Sequence, residues 1–591
     1  MSSTATKSLL ALCTVAAALS ATHFTSPQEA DACGCFVPPD PTVPIVQAGE
    51  RILFARENGI ITSHVQVQYA GPAEEFGWLL PLPSIPEMEL GTDETFAQLI
   101  AQTQPTYRLD RQYNGDCPFD PFRNGGFGGG AGSPDSASEG DDGGGDGTPL
   151  VLRDAIGPYD FAVLKADDKQ DMLDWLDENG FFVPAGTDNA VDPYIRPGAY
   201  FLALKLLSGE DTGDLQPVVI NYESDLPMIP IILTSVAADP DMGVQVWVLG
   251  EDRAIPRNYN HTKINDAALD WLNAGANYVD VVTDAVDEIE GHHSFITEYA
   301  GTSGVMVDIL DYQGRFGNLG ELATKDTVVD YVQYMNDTGF ALFTNSQFGF
   351  SPQYSSQVLN VLQKHFPMPQ ALIDEEIAPA DYYWNIYYYL VYDREENPEK
   401  YADLDEDFDP TLVTDELRER FVEPTLKAGE LFRNNPYLSR MFTTLSPNEM
   451  TKDPVFSFSP DLPEVSNVHT GTLTYYCNLV ADPRLDNTPA ILETEQGFEL
   501  VFSDGTGESS IGALDANNFY TEIDMPQSHF QEVLYEEGEA EVVIDNTKAI
   551  AKALADARDG GSGGCSVGGK NNGAGALFLL LALVALRRKR D

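Results

Sequence analysis

The residues best suited to bind a cation are four alternating aspartates, Asp403, Asp405, Asp407 and Asp409. Alternate acidic side chains in an irregular loop can bring several carboxylate oxygens to one Ca²⁺ ion. The loop departs from the EF-hand pattern, because Phe408 stands where that pattern needs glycine. We therefore expect at most weak Ca²⁺ binding here, and a solvated acidic loop without metal or cofactor is the favoured interpretation.

Two adjacent histidines, His292 and His293, could bind a metal ion together with Glu288 or Glu290. Adjacent residues in a turn rarely share one tetrahedral site. The favoured interpretation is therefore a pair of ordinary histidines at a helix end.

No catalytic motif stands in a context that would support a reaction. The chain has no HExxH zinc motif, no phosphate-binding loop and no GxSxG elbow between a strand and a helix. Gly301-Thr302-Ser303-Gly304 comes nearest to a serine nucleophile, but its spacing is wrong for the elbow. The sequence thus names no catalytic or cofactor-binding residue and favours a protein that is not an enzyme.

The segment from Tyr382 to Tyr392, YYWNIYYYLVY, is unusually rich in aromatic residues. Exposed rings would suit a glycan-binding platform. A continuous aromatic run also suits a buried helix or strand whose tyrosine hydroxyls reach hydrogen-bond partners. Core packing is the favoured interpretation.

Four cysteines of the exported body are disulfide candidates, namely Cys33, Cys35, Cys117 and Cys477. Four cysteines in an oxidising compartment allow two disulfides and three connectivities. A Cys33–Cys35 bridge would close a tight, strained ring. We therefore expect Cys33 and Cys35 each to pair with Cys117 or Cys477.

Hydrophobic periodicity predicts an α+β fold, because helices and strands come in uneven clusters and not as a regular βαβ repeat. Asn58-Gly59 predicts a hairpin after a strand at 51–56, and Gly180 predicts the end of a helix at 168–179. Further strands are expected at 217–222, 229–234 and 244–249.

Composition and periodicity divide the chain into seven parts. These are a signal peptide (1–32), a β-rich N-terminal part (33–123), a disordered Gly/Asp-rich linker (124–149), a mixed α/β part (150–304), a mainly helical part (305–450), a β-rich C-terminal part (451–556) and a glycine linker with a sorting or transmembrane tail (557–591).

The formal net charge of −59 comes from 93 acidic and 34 basic side chains. Nucleic-acid binders neutralise phosphates with lysine and arginine, so this balance excludes nucleic acid as a general partner. Apolar residues make up 43% of the chain, which is enough to build packed cores despite the charge.

Both ends of the chain have the character of targeting segments. Lys7 precedes an apolar stretch at 8–21 that is typical of an export signal, with cleavage after Ala21 or after Ala32. At the other end Cys565 is followed by a short apolar run and Arg587-Arg-Lys-Arg590. This order resembles the MYXO-CTERM sorting tail of myxobacterial surface proteins. The resemblance implies a cell-surface protein anchored at its C-terminus, with Cys565 as the processed anchor residue.

Several phrases of the body resemble a bacterial family, domain of unknown function 2330. They include Glu50-Arg-Ile-Leu-Phe54, the run from Val65 to Pro81, Pro227 to Thr234, Glu298-Tyr-Ala-Gly301 and Ser439 to Ser446. The resemblance implies an exported, envelope-associated protein and carries over no catalytic residue.

These observations predict a non-catalytic binding, adhesion or envelope-associated protein of the cell surface. Its expected partners are components of the cell envelope or extracellular matrix, with the membrane reached through the C-terminal tail. The alternative is a surface hydrolase that uses carboxylates for acid–base chemistry, since 93 acidic residues could supply such a pair.

Overall fold

A computed structural model describes residues 48–67, 77–117, 149–181, 187–207, 215–236, 238–310, 314–338, 340, 342–346, 349–402, 404–406, 408–483, 488–502, 527–536 and 539–560. All of these residues belong to one compact unit, Pro39–Asp591. The predicted signal peptide, Cys33, Cys35 and Cys565 lie outside the described residues, as does nearly all of the linker.

A mixed ten-stranded sheet forms the centre of the structure. In order across the sheet its strands, numbered along the chain, are β22 (Glu539–Asp545), β21 (His529–Glu536), β12 (Asn260–Ile264), β13 (Ser294–Thr302), β16 (Tyr437–Leu445), β10 (Met242–Gly250), β1 (Ala48–Glu57), β2 (Ile60–Val67), β9 (Val218–Glu223) and β4 (Glu87–Leu90).

The hairpin predicted at Asn58-Gly59 is confirmed, because these residues join β1 to β2 with φ values of 53° and 82°. Positive φ at both turn positions matches the right-handed twist of the strands. Strand alternation places Ile52 and Phe54 in one core and Leu53 in another, so both faces of the sheet are covered.

Two smaller four-stranded sheets and two strand pairs complete the β-structure of the described residues. One sheet has the order β3 (Trp78–Leu82), β8 (Tyr200–Leu206), β7 (Tyr159–Lys165) and β6 (Leu150–Ile156). The other has the order β20 (Glu499–Phe502), β19 (Ala490–Glu493), β18 (Val468–Tyr476) and β5 (Thr106–Asn114). The pairs are β11 (Arg253–Pro256) with β17 (Phe456–Ser459) and β14 (Leu342–Ser346) with β15 (Gly349–Gln353).

The α-helices vary from single turns to 14 residues. They are α1 (Asp93–Thr103), α2 (Lys169–Glu178), α3 (Thr187–Ala190), α4 (Ile231–Thr234), α5 (Tyr278–Asp287), α6 (Gly304–Val307), α7 (Val328–Asp337), α8 (Ser356–His365), α9 (Gln370–Asp374), α10 (Pro379–Trp384), α11 (Arg394–Glu396), α12 (Pro410–Leu417), α13 (Glu423–Asn434) and α14 (Thr547–Gly560). Two π-helical segments, Tyr388–Asp393 and Arg418–Val422, interrupt the helices between α10 and α13.

The α+β class predicted from the sequence is confirmed, and so is the helix that ends at Gly180. Asp168 caps α2 by accepting from the amides of Gln170 and Asp171, and Gly180 follows the helix with a φ of 68°. The prediction of a strand at 229–234 is wrong, because α4 occupies residues 231–234.

The mainly helical part has its own core, built around side chains such as Tyr331, Phe366 and Tyr382. It ends earlier than expected, because β16 at Tyr437–Leu445 returns the chain to the middle of the central sheet. The division of the chain into separate parts stays a prediction.

A disulfide joins Cys117 to Cys477, with a Cα–Cα distance of 5.5 Å. Strands β5 and β18 run parallel and pair Asn114 with Tyr476, so the chain just beyond each strand end brings the two cysteines together. The expectation that each of them pairs with Cys33 or Cys35 is therefore wrong.

Candidate functional site

The serine nearest to a nucleophile motif has a structural role. Ser303 is buried, and its hydroxyl donates to the carbonyl of Phe432 over 2.9 Å at the contact between α6 and α13. A hydroxyl held in this way is engaged within the fold. Gly301–Gly304 is not the expected loop, because Gly301 and Thr302 end β13 and Gly304 begins α6.

The described members of the acidic loop have protein partners. The carboxylate of Asp405 pairs with Arg394 and accepts from the amide of Val328 over 2.9 Å. Asp409 caps α12 through the amides of Thr411 and Leu412. Asp403 and Asp407 lie outside the described residues. The two visible carboxylates therefore hold separate helices in place, which does not favour a calcium site.

The two histidines contact different groups, and neither contacts the predicted partners. His292 Nδ1 lies 3.3 Å from Asp287 Oδ1 and 3.6 Å from Glu449 Oε1. His293 Nε2 lies 3.0 Å from Thr451 Oγ1. Glu288, one of the predicted partners, instead accepts from His529 Nδ1 over 2.5 Å. The sequence pointed to His292 but missed Glu449, which is 157 positions away and adjoins it only in the fold.

Two partly buried carboxylates with raised pKa values, Glu50 and Asp93, do not form an acid–base pair. Burial raises the pKa of Glu50 to about 7, although a hydrogen bond from Thr234 lowers it. Burial also raises the pKa of Asp93 to about 6, although Gln66 and Arg51 oppose the shift. Asp93 contacts Gln66 on the face of the sheet that carries Arg51, whereas the adjacent Glu50 points to the opposite face. The two carboxylates therefore cannot act together.

The aromatic segment divides into a buried row and an exposed row. It runs through α10, which ends at Trp384, and through the π-helical segment Tyr388–Asp393. The side chains of Tyr382, Ile386 and Leu390 are almost fully buried in the helical core. The prediction of core packing is right for these residues.

The exposed row consists of Trp384, Tyr388 and Tyr392, which are 61%, 54% and 55% exposed. For these three side chains the prediction of core packing is wrong. Trp384 is the last residue of α10, whereas Tyr388 and Tyr392 lie in the π-helical segment that follows. The four-residue spacing was visible in the sequence and could have identified the row.

Neighbouring tyrosines hold Tyr388 and Tyr392, two members of the exposed row, in position. The rings of Tyr388 and Tyr392 lie 6.3 Å apart with an interplanar angle of 33°. Tyr387 meets Tyr392 edge-on at 5.9 Å, and Tyr389 meets Tyr388 edge-on at 5.4 Å. Tyr387 and Tyr389 are half-buried and link the exposed rings to the core beneath. The two exposed tyrosines therefore form a supported surface beside the exposed Trp384.

The flanking hydroxyls stay protonated under ordinary conditions. Burial, the Tyr392 hydroxyl and Asp337 raise the pKa of Tyr387. Burial, followed by Asp381 and Asp393, raises the pKa of Tyr389. These groups remain neutral hydrogen-bond donors beside the rings, and nearby carboxylates supply acceptors. The surface can therefore stack on an apolar ring face and also bond to hydroxyl groups.

Residues 27–371 match the family model described as "Uncharacterized protein conserved in bacteria (DUF2330)". Neither the curated proteins nor the solved structures provide a match to the chain. Among the described residues, no helix combines the length and the apolar character that crossing a membrane requires.

Proposed function

The chain belongs to the DUF2330 family of uncharacterized bacterial proteins, and we propose that it is a non-catalytic, carbohydrate-binding protein of the cell surface. The observation that carries this proposal is the exposed row of Trp384, Tyr388 and Tyr392. Three large rings left in water within nine residues contribute little to the core, and exposed aromatic side chains are typical of binding surfaces.

The shape of the row favours a linear glycan as the ligand. The 6.3 Å between the Tyr388 and Tyr392 rings is comparable to the length of one sugar residue in an extended chain. Each ring can stack on one sugar face, while the exposed carboxylate of Asp381, which helps to raise the pKa of Tyr389, can accept from sugar hydroxyls.

The charge of the protein favours an uncharged glycan over an anionic one. With a net charge of −59, the protein repels acidic polymers and nucleic acids at low ionic strength. Neutral polysaccharide of the envelope or the surrounding matrix is therefore the proposed partner.

Export and anchoring complete the proposal. They rest on the apolar stretch at 8–21 and on Cys565 with the basic residues that follow, as the sequence analysis set out. In this arrangement the C-terminal tail holds the protein at the membrane.

The test is binding of the purified full-length protein to insoluble neutral polysaccharides such as cellulose and chitin. We expect saturable binding that falls at least tenfold when Trp384, Tyr388 and Tyr392 are all replaced by alanine, because truncating a central binding residue commonly costs about 2 kcal/mol. Leu412→Ala is the control, since Leu412 is 56% exposed in the same helical part but lies outside the row.

Two results would contradict the proposal. One is an absence of binding to every neutral polysaccharide tried, and the other is equal binding by the triple variant and the wild type. An unchanged melting temperature in the triple variant is expected, because side chains already exposed to water contribute little to the core. Hydrolysis of the polysaccharide during the assay would instead favour the surface hydrolase.

A further inference from the structure

Three potential metal ligands from two distant parts of the chain meet beside the central sheet. Asp287 is the last residue of α5, His292 ends the turn that follows it, and Glu449 lies in the turn after β16. The His292 Nδ1 atom and one carboxylate oxygen of each acidic residue all lie within 4.8 Å of one another.

The distances within this cluster fit metal ligands better than hydrogen-bond partners. His292 Nδ1 is 3.3 Å from Asp287 Oδ1 and 3.6 Å from Glu449 Oε1. A good N–H to oxygen hydrogen bond is about 2.9 Å long, so one contact is weak and the other is too long. Two ligands of a tetrahedral zinc ion, each about 2.1 Å from the metal, lie about 3.4 Å apart.

Neighbouring contacts hold each ligand in place. Glu449 Oε2 accepts from the amide of Ser446 over 2.7 Å, which leaves Oε1 directed at His292. His293 Nε2 lies 3.0 Å from Thr451 Oγ1 and so ties the histidine turn to the Glu449 turn. Such supporting contacts are what orients the ligands in a metal site.

We propose that Asp287, His292 and Glu449 form a binding site for a single zinc ion. Imidazole nitrogen with two carboxylates suits zinc, whereas Ca²⁺ and Mg²⁺ prefer oxygen ligands alone. The two carboxylates balance the charge of the ion. All three side chains are partly exposed, so the ion can enter from solvent and one position stays open to water.

The site goes beyond carbohydrate binding and does not depend on it. It lies at the end of α5, whereas the aromatic row lies on α10 and the π-helical segment after it. Failure of either proposal therefore leaves the other unaffected.

The test is calorimetric titration of the purified full-length protein with Zn²⁺ near neutral pH. His292→Asn removes the imidazole and suits the backbone, because His292 has a φ of 56° and asparagine tolerates this left-handed conformation. We expect the zinc affinity to fall at least tenfold in this variant and in Glu449→Gln.

His469→Asn is the matched control. His469 Nδ1 lies 2.9 Å from Glu495 Oε2, so it represents a partly exposed histidine beside one carboxylate. We expect this variant to bind zinc like the wild type. A wild-type protein that shows no saturable zinc binding would overturn the proposal, as would equal affinity in His292→Asn and His469→Asn.

A second measurement separates loss of zinc binding from a substitution that disturbs the fold. The melting temperature in excess zinc is expected to rise in the wild type and in His469→Asn, but not in Asp287→Asn or His292→Asn, because a ligand stabilises only the state that binds it. An equal rise in all four proteins would show that zinc binds elsewhere.

Discussion

Arg440 donates from Nε to Glu298 Oε2 over 2.5 Å between neighbouring strands in the middle of the central sheet, and both side chains are buried. Arg440 also donates to Gln245 Oε1 over 2.9 Å, and the Tyr278 hydroxyl donates to Glu298 Oε1 over 2.7 Å. The guanidinium lies 5.3 Å from the centre of the Trp247 ring. The charges are thus paired and surrounded by further partners, which is the condition under which a buried ion pair is tolerated.

Removing one partner of this pair should be far more damaging than removing both charges. Arg440→Met leaves the Glu298 carboxylate buried without its cation, and we expect a loss of about 3–5 kcal/mol in the free energy of unfolding. The double variant Arg440→Met/Glu298→Gln should recover part of that loss. Urea unfolding of both variants measures the difference, and a double variant less stable than the single one would contradict the prediction.

The disulfide between Cys117 and Cys477 should contribute substantially to stability. It closes a loop with a sequence separation of 360, and restricting so long a loop in the unfolded chain stabilises the fold by about 2–5 kcal/mol. We expect Cys117→Ser/Cys477→Ser to melt at a lower temperature, and reducing agent to bring the wild type to the same value. A peptide map linking Cys117 to Cys33 or Cys35 would contradict the structure at this point.

Glu50 should make the protein less stable as the pH rises. Burial raises the pKa of Glu50 from 4.5 to about 7, so the folded state favours the protonated carboxyl. The stability that the protonated Glu50 carboxyl contributes is fully present below pH 4.5 and is lost as the pH rises through 7.

The matched variant is Glu50→Gln, which cannot ionise. We expect it to be more stable than the wild type at pH 8, by up to about 3 kcal/mol, and nearly equal to it below pH 5, taking about 1.4 kcal/mol per pKa unit. Glu87→Gln is the control, because Glu87 lies exposed on β4. Thermal melts between pH 4 and pH 9 measure the effect, and a Glu50→Gln advantage that does not grow with pH would refute it.

Local features of this fold could be predicted from the sequence, because neighbouring residues determine them. The Asn58-Gly59 turn and the helix that ends at Gly180 are examples. The prediction for segment 229–234 was wrong because its apolar run suits a strand, whereas in the fold Pro230 precedes a single helical turn. Short apolar runs do not distinguish the two structures.

The candidate sites could be predicted only in part. The aromatic run was evident, but which rings face water depends on where the helical core lies beneath them. Of the proposed zinc site the sequence pointed only to His292, because Glu449 reaches it only through the path of β16 in the sheet. Long-range contacts of this kind leave no periodic signal in a single sequence.

Glu416 should respond to pH in the opposite direction to Glu50. Although burial opposes it, hydrogen bonds from His365 and Lys364 lower the pKa of Glu416 to about 2. A lowered pKa contributes stability that is present above the ordinary value of 4.5 and is lost as the pH falls towards 2. We expect Glu416→Gln to cost about 1–3 kcal/mol at pH 7, and the difference from the wild type to close in acid. Glu419→Gln, exposed in the next helical turn, is the control and should cost little at any pH. Chemical unfolding at pH 3 and pH 7 measures the difference in the free energy of unfolding. If Glu416→Gln is equally destabilised at both pH values, the carboxylate charge contributes nothing.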